Sequence, residues 1–276
     1  MKLNAKSREF MAWAAQKESN IPSNISDLKI SIKDINHIES AEILRIQSIV
    51  KRYNCCIYKS RSELKSKKDL LNFAQSIGMI TYDKNNIDNE PVCCITRNKP
   101  NDKKGYIPYT NKALNWHTDG YYDHKPIYSW LLHCVAPAVE GGENRLLDHE
   151  LVIRQYVLKY DDIDLLEQDN AFTIPGNEDA DRLDTAGYVC SINNKYKKWH
   201  MKFSMRKDNI ELNNSIKVAM IKMKNIIIDD CKKYYLTYKL SKNEGIISNN
   251  ILHGRNSYKD GGNMRKIFRI RSYERI

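Results

Sequence analysis

The sequence predicts a mixed α+β protein. Helical and strand-like hydrophobic periods alternate along the chain, helix-start residues stand where the helical periods begin, and 276 residues with 41% hydrophobic side chains suffice for a substantial core. Eleven glycines and seven prolines are too few for a collagen-like or low-complexity chain, and this apolar content is too high for a disordered one.

Taken in order, Ile43, Ile46 and Val50 repeat at helical spacing, and Leu70, Phe73, Ala74 and Ile77 share one face of a second helix. Ser66, with Asp69 three residues on, opens the second helix and Gly78 closes it. Between the two lies an apolar run at 54–58, the length of a buried strand. The interval 83–110 is rich in Asn, Asp and Lys and reads as a loop around one apolar segment, 92–96. A strand is expected at 128–135, a helix capped by Asp148 and running through Tyr156, and a further strand at 187–192. Ile216, Ala219, Met220, Met223 and Ile227 define a third amphipathic helix, and strands at 245–253 and 264–273 complete the chain. No internal repeat or interdomain linker interrupts the pattern.

The 45 Lys and Arg outnumber the 34 Asp and Glu, giving a net charge of +11. The excess is mostly scattered lysine, with short clusters at 65–68 and 195–198, and no aromatic-basic motif points to nucleic acid. No run approaches the ~20 apolar residues of a membrane span, and the N-terminal segment lacks a signal-peptide core. The seven cysteines include the adjacent pairs Cys55-Cys56 and Cys93-Cys94 and no C-x-x-C, so reduced thiols in a cytoplasmic protein are expected. A small-molecule ligand is expected, without a nucleic-acid or membrane partner; a homo-oligomer is compatible with the sequence.

The most informative run is Asn115-Trp116-His117-Thr118-Asp119-Gly120-Tyr121-Tyr122. In an extended strand His117 and Asp119 point to the same face and reach one ion together. A third ligand would complete the two-histidine, one-carboxylate arrangement that leaves positions open on Fe(II). H-x-D alone is a weak signal, but Leu252-His253-Gly254-Arg255 follows a strand-like run, and Met264-Arg265-Lys266-Ile267-Phe268-Arg269-Ile270-Arg271 comes next. In that last strand Arg265, Ile267, Arg269 and Arg271 share one face, with Phe268 and Ile270 on the other. Buried arginines call for anions, and a guanidinium holds a carboxylate through two parallel hydrogen bonds. Arg271 is expected to pair with a surface acid.

The order of W-H-T-D-G, then Glu140-Gly141-Gly142-Glu143-Asn144, then L-H-G-R and the arginine strand, resembles the Fe(II)/2-oxoglutarate dioxygenases of the taurine dioxygenase and clavaminate synthase-like superfamily. The resemblance implies a double-stranded β-helix, a jelly-roll barrel with packed helices. One oxygenase domain would span 1–276, mostly helical over 1–80, with a barrel and helical insertion over 81–276. It implies Fe(II) as cofactor, held by His117, Asp119 and His253, with 2-oxoglutarate and O2 as cosubstrates. Arg265 would grip the distal carboxylate of 2-oxoglutarate, Arg269 would face the substrate anion or share the cosubstrate, and Asn144 stands where relatives often use threonine for the same carboxylate. Asn115, Trp116, Tyr121, Tyr122 and Arg255 would line the substrate pocket. The implied reaction is hydroxylation of a small anionic or zwitterionic molecule, amino acid-like or sulfonate-like, with release of succinate and CO2. The Asp119 carboxylate argues against halogenation. Desaturation, cyclisation and a non-enzymatic metal-binding barrel stay open at this point. His37, His124, His133, His149 and His200 match no motif and are expected to be structural.

Overall fold

The computed structural model describes residues 7–84, 89–97, 107–176, 183–205, 210–212 and 214–276. The parts of the expected 83–110 loop at 85–88 and 98–106 lie outside these residues, as does the extreme N-terminal segment 1–6.

In chain order the chain forms α1 (Arg8–Ser19), β1 (Lys29–Ile32), α2 (Ser40–Tyr53), β2 (Cys55–Ser60), α3 (Lys67–Ser76), β3 (Cys93–Thr96) and β4 (Leu114–His117). Next come β5 (Ser129–Ala136), β6 (Glu140–Gly141), β7 (Asn144–Leu147), α4 (His149–Lys159), β8 (Phe172–Ile174), β9 (Thr185–Gly187), β10 (Cys190–Asn193) and β11 (Lys198–Met201). The chain continues with α5 (Asn214–Asn225), β12 (Leu236–Tyr238), β13 (Glu244–Ser248), β14 (Leu252–Arg255), β15 (Tyr258–Lys259) and β16 (Lys266–Ser272).

Local signals account for many boundaries. The Ser66 hydroxyl accepts the Asp69 N–H and starts α3, and the Asp148 carboxylate accepts the Glu150 N–H and starts α4. Asn54 takes a left-handed φ of 60° to end α2 and turn directly into β2. The apolar stripe of α5 carries on into a wider turn at Ile226–Asp230, where Ile226 and Ile227 are fully buried.

Two sheets organise the fold, one six-stranded in the order β1-β2-β13-β5-β16-β3 and one four-stranded in the order β12-β7-β14-β4. Trp130, Cys134, Ile246 and Ile267 from the first and Leu146 from the second meet in one apolar cluster with Ile251. On the other face of the large sheet, Leu131, Ile247 and Ile270 pack with Ile46, Val50, Leu70 and Phe73 of α2 and α3. A third cluster joins α1, α4 and α5 to Trp116, Leu147 and Leu252 of the smaller sheet. Ile267 and Ile270 thus fall on the opposite faces that strand alternation predicts.

Three expectations need correction. The run at 245–253 is two strands: β13 belongs to the large sheet and β14 to the small one, with the break at Asn250, whose φ is +51°. The run at 187–192 likewise divides between β9 and β10, which sit in different two-stranded sheets. The N-terminal part is not helices alone, because β1 and β2 extend the large sheet beside β13.

Candidate metal centre and active site

His117 and His253 are directly opposed across the antiparallel pair β4 and β14, with ring centroids 4.2 Å apart. Each ring is tied in the same way: His117 Nδ1 lies 2.8 Å from Asn115 O, and His253 Nδ1 lies 3.0 Å from Ile251 O. A carbonyl only accepts, so each Nδ1 carries the proton and each Nε2 offers a lone pair. Asp119 is not on the strand; β4 ends at His117, and a turn through Gly120, at φ +68°, swings the carboxylate back. A Cβ on Gly120 would stand 2.4 Å from Ile127 Cγ1, so this turn needs glycine for space as well as for conformation. Asp119 Oδ1 then lies 3.8 Å from His117 Nε2 and 3.9 Å from His253 Nε2.

Burial lowers the imidazole of His117 to about 3, with the facing His253 adding to the effect, and burial lowers that of His253 as well. Both rings are therefore neutral near neutral pH. Burial alone would raise the Asp119 carboxyl, but Arg269 and the two histidines outweigh it and hold the group below the usual carboxylate range. Asp119 Oδ2 is buried, accepts no hydrogen bond among the described residues, and lies 3.6 Å from Arg269 Nη1. Two neutral imidazoles and an ionised carboxylate, their donor atoms within 4.8 Å of one another, form a donor set that fits Fe(II).

A cavity beside these groups is lined by Asn115, Tyr121, Tyr122 and Arg269, and also by Thr118 and Ser204. Trp116 points the other way: it alternates with Asn115 and His117 on β4 and packs 4.7 Å from the Tyr235 ring in the helical core. Arg255 does not line this cavity. Its guanidinium donates to the carbonyls of Pro108, Thr110 and Lys112 at 3.2, 2.8 and 2.6 Å, and so fixes the loop whose Pro108 forms one cavity wall.

Arg265 precedes β16, with its N–H donated to Asp260 Oδ1, and its guanidinium lies 5.2 Å over the Tyr258 ring. It is 5% exposed, and no carboxylate among the described residues pairs with it. Burial and the adjacent Arg265 push Arg255 down to about 10, the signature of two guanidinium groups crowded into one recess. Asn144 is buried on β7, opposite Arg255 in register. Arg271 is not at the surface: it is 1% exposed, ion-paired with Asp83, 3.8 Å from Asp123 Oδ2, and it donates to the Tyr122 hydroxyl at 3.1 Å.

Thr118 and Ser204 escaped the sequence reading because nothing local announces them. Thr118 exchanges hydrogen bonds with Phe203, about 85 residues away, and Ser204 bridges to His117. Such long-range pairings leave no periodic trace.

Residues 19–171 match the family described as Taurine catabolism dioxygenase TauD, TfdA family. The chain belongs to this family and is an Fe(II)- and 2-oxoglutarate-dependent oxygenase. The fold is similar to that of an asparagine oxygenase solved with Fe(II), 2S,3S-3-hydroxyasparagine and succinate, at TM-score 0.62 and 9% identity over 97% of this chain and 92% of that one. It is also similar to the non-heme iron oxygenase OrfP solved with Fe, succinate and (3S)-hydroxy-L-Arg, at TM-score 0.63 and 11% identity, covering 96% and 91%. A taurine dioxygenase from Burkholderia xenovorans matches at TM-score 0.60 and 12% identity, covering 89% and 87%.

Proposed function

We propose that this enzyme hydroxylates a small zwitterionic or anionic molecule of the amino-acid or sulfonate type, with His117, Asp119 and His253 as the iron ligands. The observation that carries the reading is the convergence of two Nε2 lone pairs and one carboxylate oxygen within 4.8 Å, each histidine being oriented by a backbone carbonyl. Bound iron and 2-oxoglutarate supply the oxidising power, with succinate and CO2 as products.

The chain's own residues orient and select. Arg265, buried and without a carboxylate partner among the described residues, holds the distal carboxylate of 2-oxoglutarate, with Asn144 beside it. Arg269, held toward Asp119, presents its remaining donors to the substrate anion. Asn115, Tyr121 and Tyr122 shape the pocket around it. Hydroxyasparagine and hydroxyarginine in the similar oxygenases support an amino-acid-like substrate here. We read the two facing sheets as a double-stranded β-helix with helices packed outside and the whole chain as one oxygenase domain, since one apolar cluster joins both sheets. A cytoplasmic location is part of the same proposal.

The test is succinate release from 2-oxoglutarate with Fe(II) and O2 across a panel of free amino acids and aliphatic sulfonates. Stimulation by a charged panel member supports the reading; stimulation confined to uncharged compounds overturns the substrate class.

A further inference from the structure

Along β5, Trp130 and Cys134 face the cluster between the sheets, so His133 and Val135 face the opposite side, under α3. There a cavity of about 540 Å3, open to solvent, is walled by Val135, Phe268 and Leu64 and rimmed by Lys65, Lys67 and Lys242. His133 lies in its lining and is 1% exposed.

The register explains how this histidine is held. Gly245 of β13 pairs with Tyr58 of β2 on one side and with His133 on the other. A Cβ on Gly245 would stand 2.3 Å from the Tyr58 ring, so only glycine lets the phenol lie across β13 and reach His133 Nδ1 at 2.9 Å. His133 Nε2 has no hydrogen-bond partner. Burial pushes this imidazole down to about 4, so one of its nitrogens carries a single proton near neutral pH. If the Tyr58 hydroxyl donates to Nδ1, one buried donor, Nε2–H, is left over. If Nδ1–H donates instead, both the phenol hydrogen and the Nε2 lone pair are stranded, which costs more. His133 thus presents an N–H.

The surroundings favour negative charge. Ser66, the N-cap of the ten-residue α3, lines the cavity, and the start of a helix attracts anions. Lys242 pairs with Glu63 at 2.6 Å and Lys67 with Glu90, whereas no carboxylate among the described residues pairs with Lys65.

We propose that this cavity binds a small organic anion whose carboxylate or phosphate oxygen accepts the His133 Nε2–H and faces Lys65 and the start of α3, with a short apolar body against Phe268 and Val135. The site is separate from the metal centre: Phe268 lines it, while the next residue, Arg269, turns to the other face toward Asp119.

The test titrates the protein with inorganic phosphate and, in a parallel arm, with butyrate, following the His133 ring and the Lys67 and Lys68 amides by NMR. Saturation by one or both anions in the millimolar range is expected, and the arm that saturates identifies the headgroup. Lys65→Gln should weaken binding severalfold. The double variant Tyr58→Phe with His133→Phe, which removes both polar partners and so strands neither, should weaken it about tenfold or more. No saturable shift in either arm overturns the site, as does binding unchanged in Lys65→Gln; that exposed substitution decides the matter if the double variant fails to fold.

Discussion

Asn250 grips the main chain of Asp119 from both sides. Its Oδ1 accepts the Asp119 N–H at 2.8 Å, and its Nδ2 donates to the Asp119 carbonyl at 2.9 Å and to that of Ile127 at 2.7 Å. Asn250 also forms the turn that enters β14 and delivers His253, so one side chain sets the carboxylate and the second imidazole in a common frame. Asn250→Ala would leave buried backbone groups unpaired, at about 1–3 kcal/mol for each. A lower midpoint of thermal unfolding and weaker Fe(II) binding are expected, and unchanged iron affinity would show that the turn holds without the amide.

His117→Ala, Asp119→Ala and His253→Ala should each abolish conversion of 2-oxoglutarate to succinate while the circular dichroism spectrum stays folded. Full turnover in Asp119→Ala would remove the carboxylate from the ligand set.

Arg265→Ala should raise the KM for 2-oxoglutarate by about tenfold to a hundredfold, the worth of a charged hydrogen-bonded pair. Arg269→Ala should act mainly on the substrate and on Asp119, which loses the cation that counters its burial. Steady-state kinetics with each variant settles the ranking, and the reverse order would exchange the two roles.

His200 is buried and neutral, bonded to the Ile127 carbonyl and the Tyr188 hydroxyl at 2.9 Å each. Burial lowers its imidazole to about 3, against 6.5 for an unperturbed ring. Between those values the unfolded chain binds the proton and the folded chain does not, so stability is full above the unfolded value and falls as the pH drops toward about 3. His200→Gln should flatten the dependence of the urea midpoint on pH across this window, and an unchanged slope would refute the assignment.

Arg271 sits between Asp83 and Asp123 at 1% exposure. Arg271→Met leaves two buried carboxylates without their cation and should cost about 3–5 kcal/mol of stability in urea unfolding.

The sequence was most readable where a chemical requirement is local. The caps Ser66 and Asp148 and the stripes of α2 and α3 all depend on residues within a few positions, and so does the pairing of His117 with Asp119, although a turn and not strand alternation produces it. Where two elements abut without a change of hydrophobicity, the reading merged them, as at Asn250. Helix α1 went unseen because its apolar face is narrow: only Phe10, Ala14 and the stem of Lys17 are buried, and Lys17 pairs with Asp148 and Glu150 over 130 residues away. Strand alternation applied to β4 would have turned Trp116 away from the pocket, but no local rule could have sent Arg255 to the carbonyls of Pro108, Thr110 and Lys112.

The strand order of the large sheet has a consequence for biosynthesis. Its interior is filled late, because β13 slots between β2 and β5, and β16 slots between β5 and β3. Until residues through 272 leave the ribosome, the earlier strands wait with open edges, and the cradle for the metal lacks His253 and Arg269. Such non-local pairing closes slowly and exposes unpaired edges meanwhile. Iron capture is therefore one of the last events in the making of this enzyme, and a nascent chain carrying His117 and Asp119 alone holds only a fragment of the cradle.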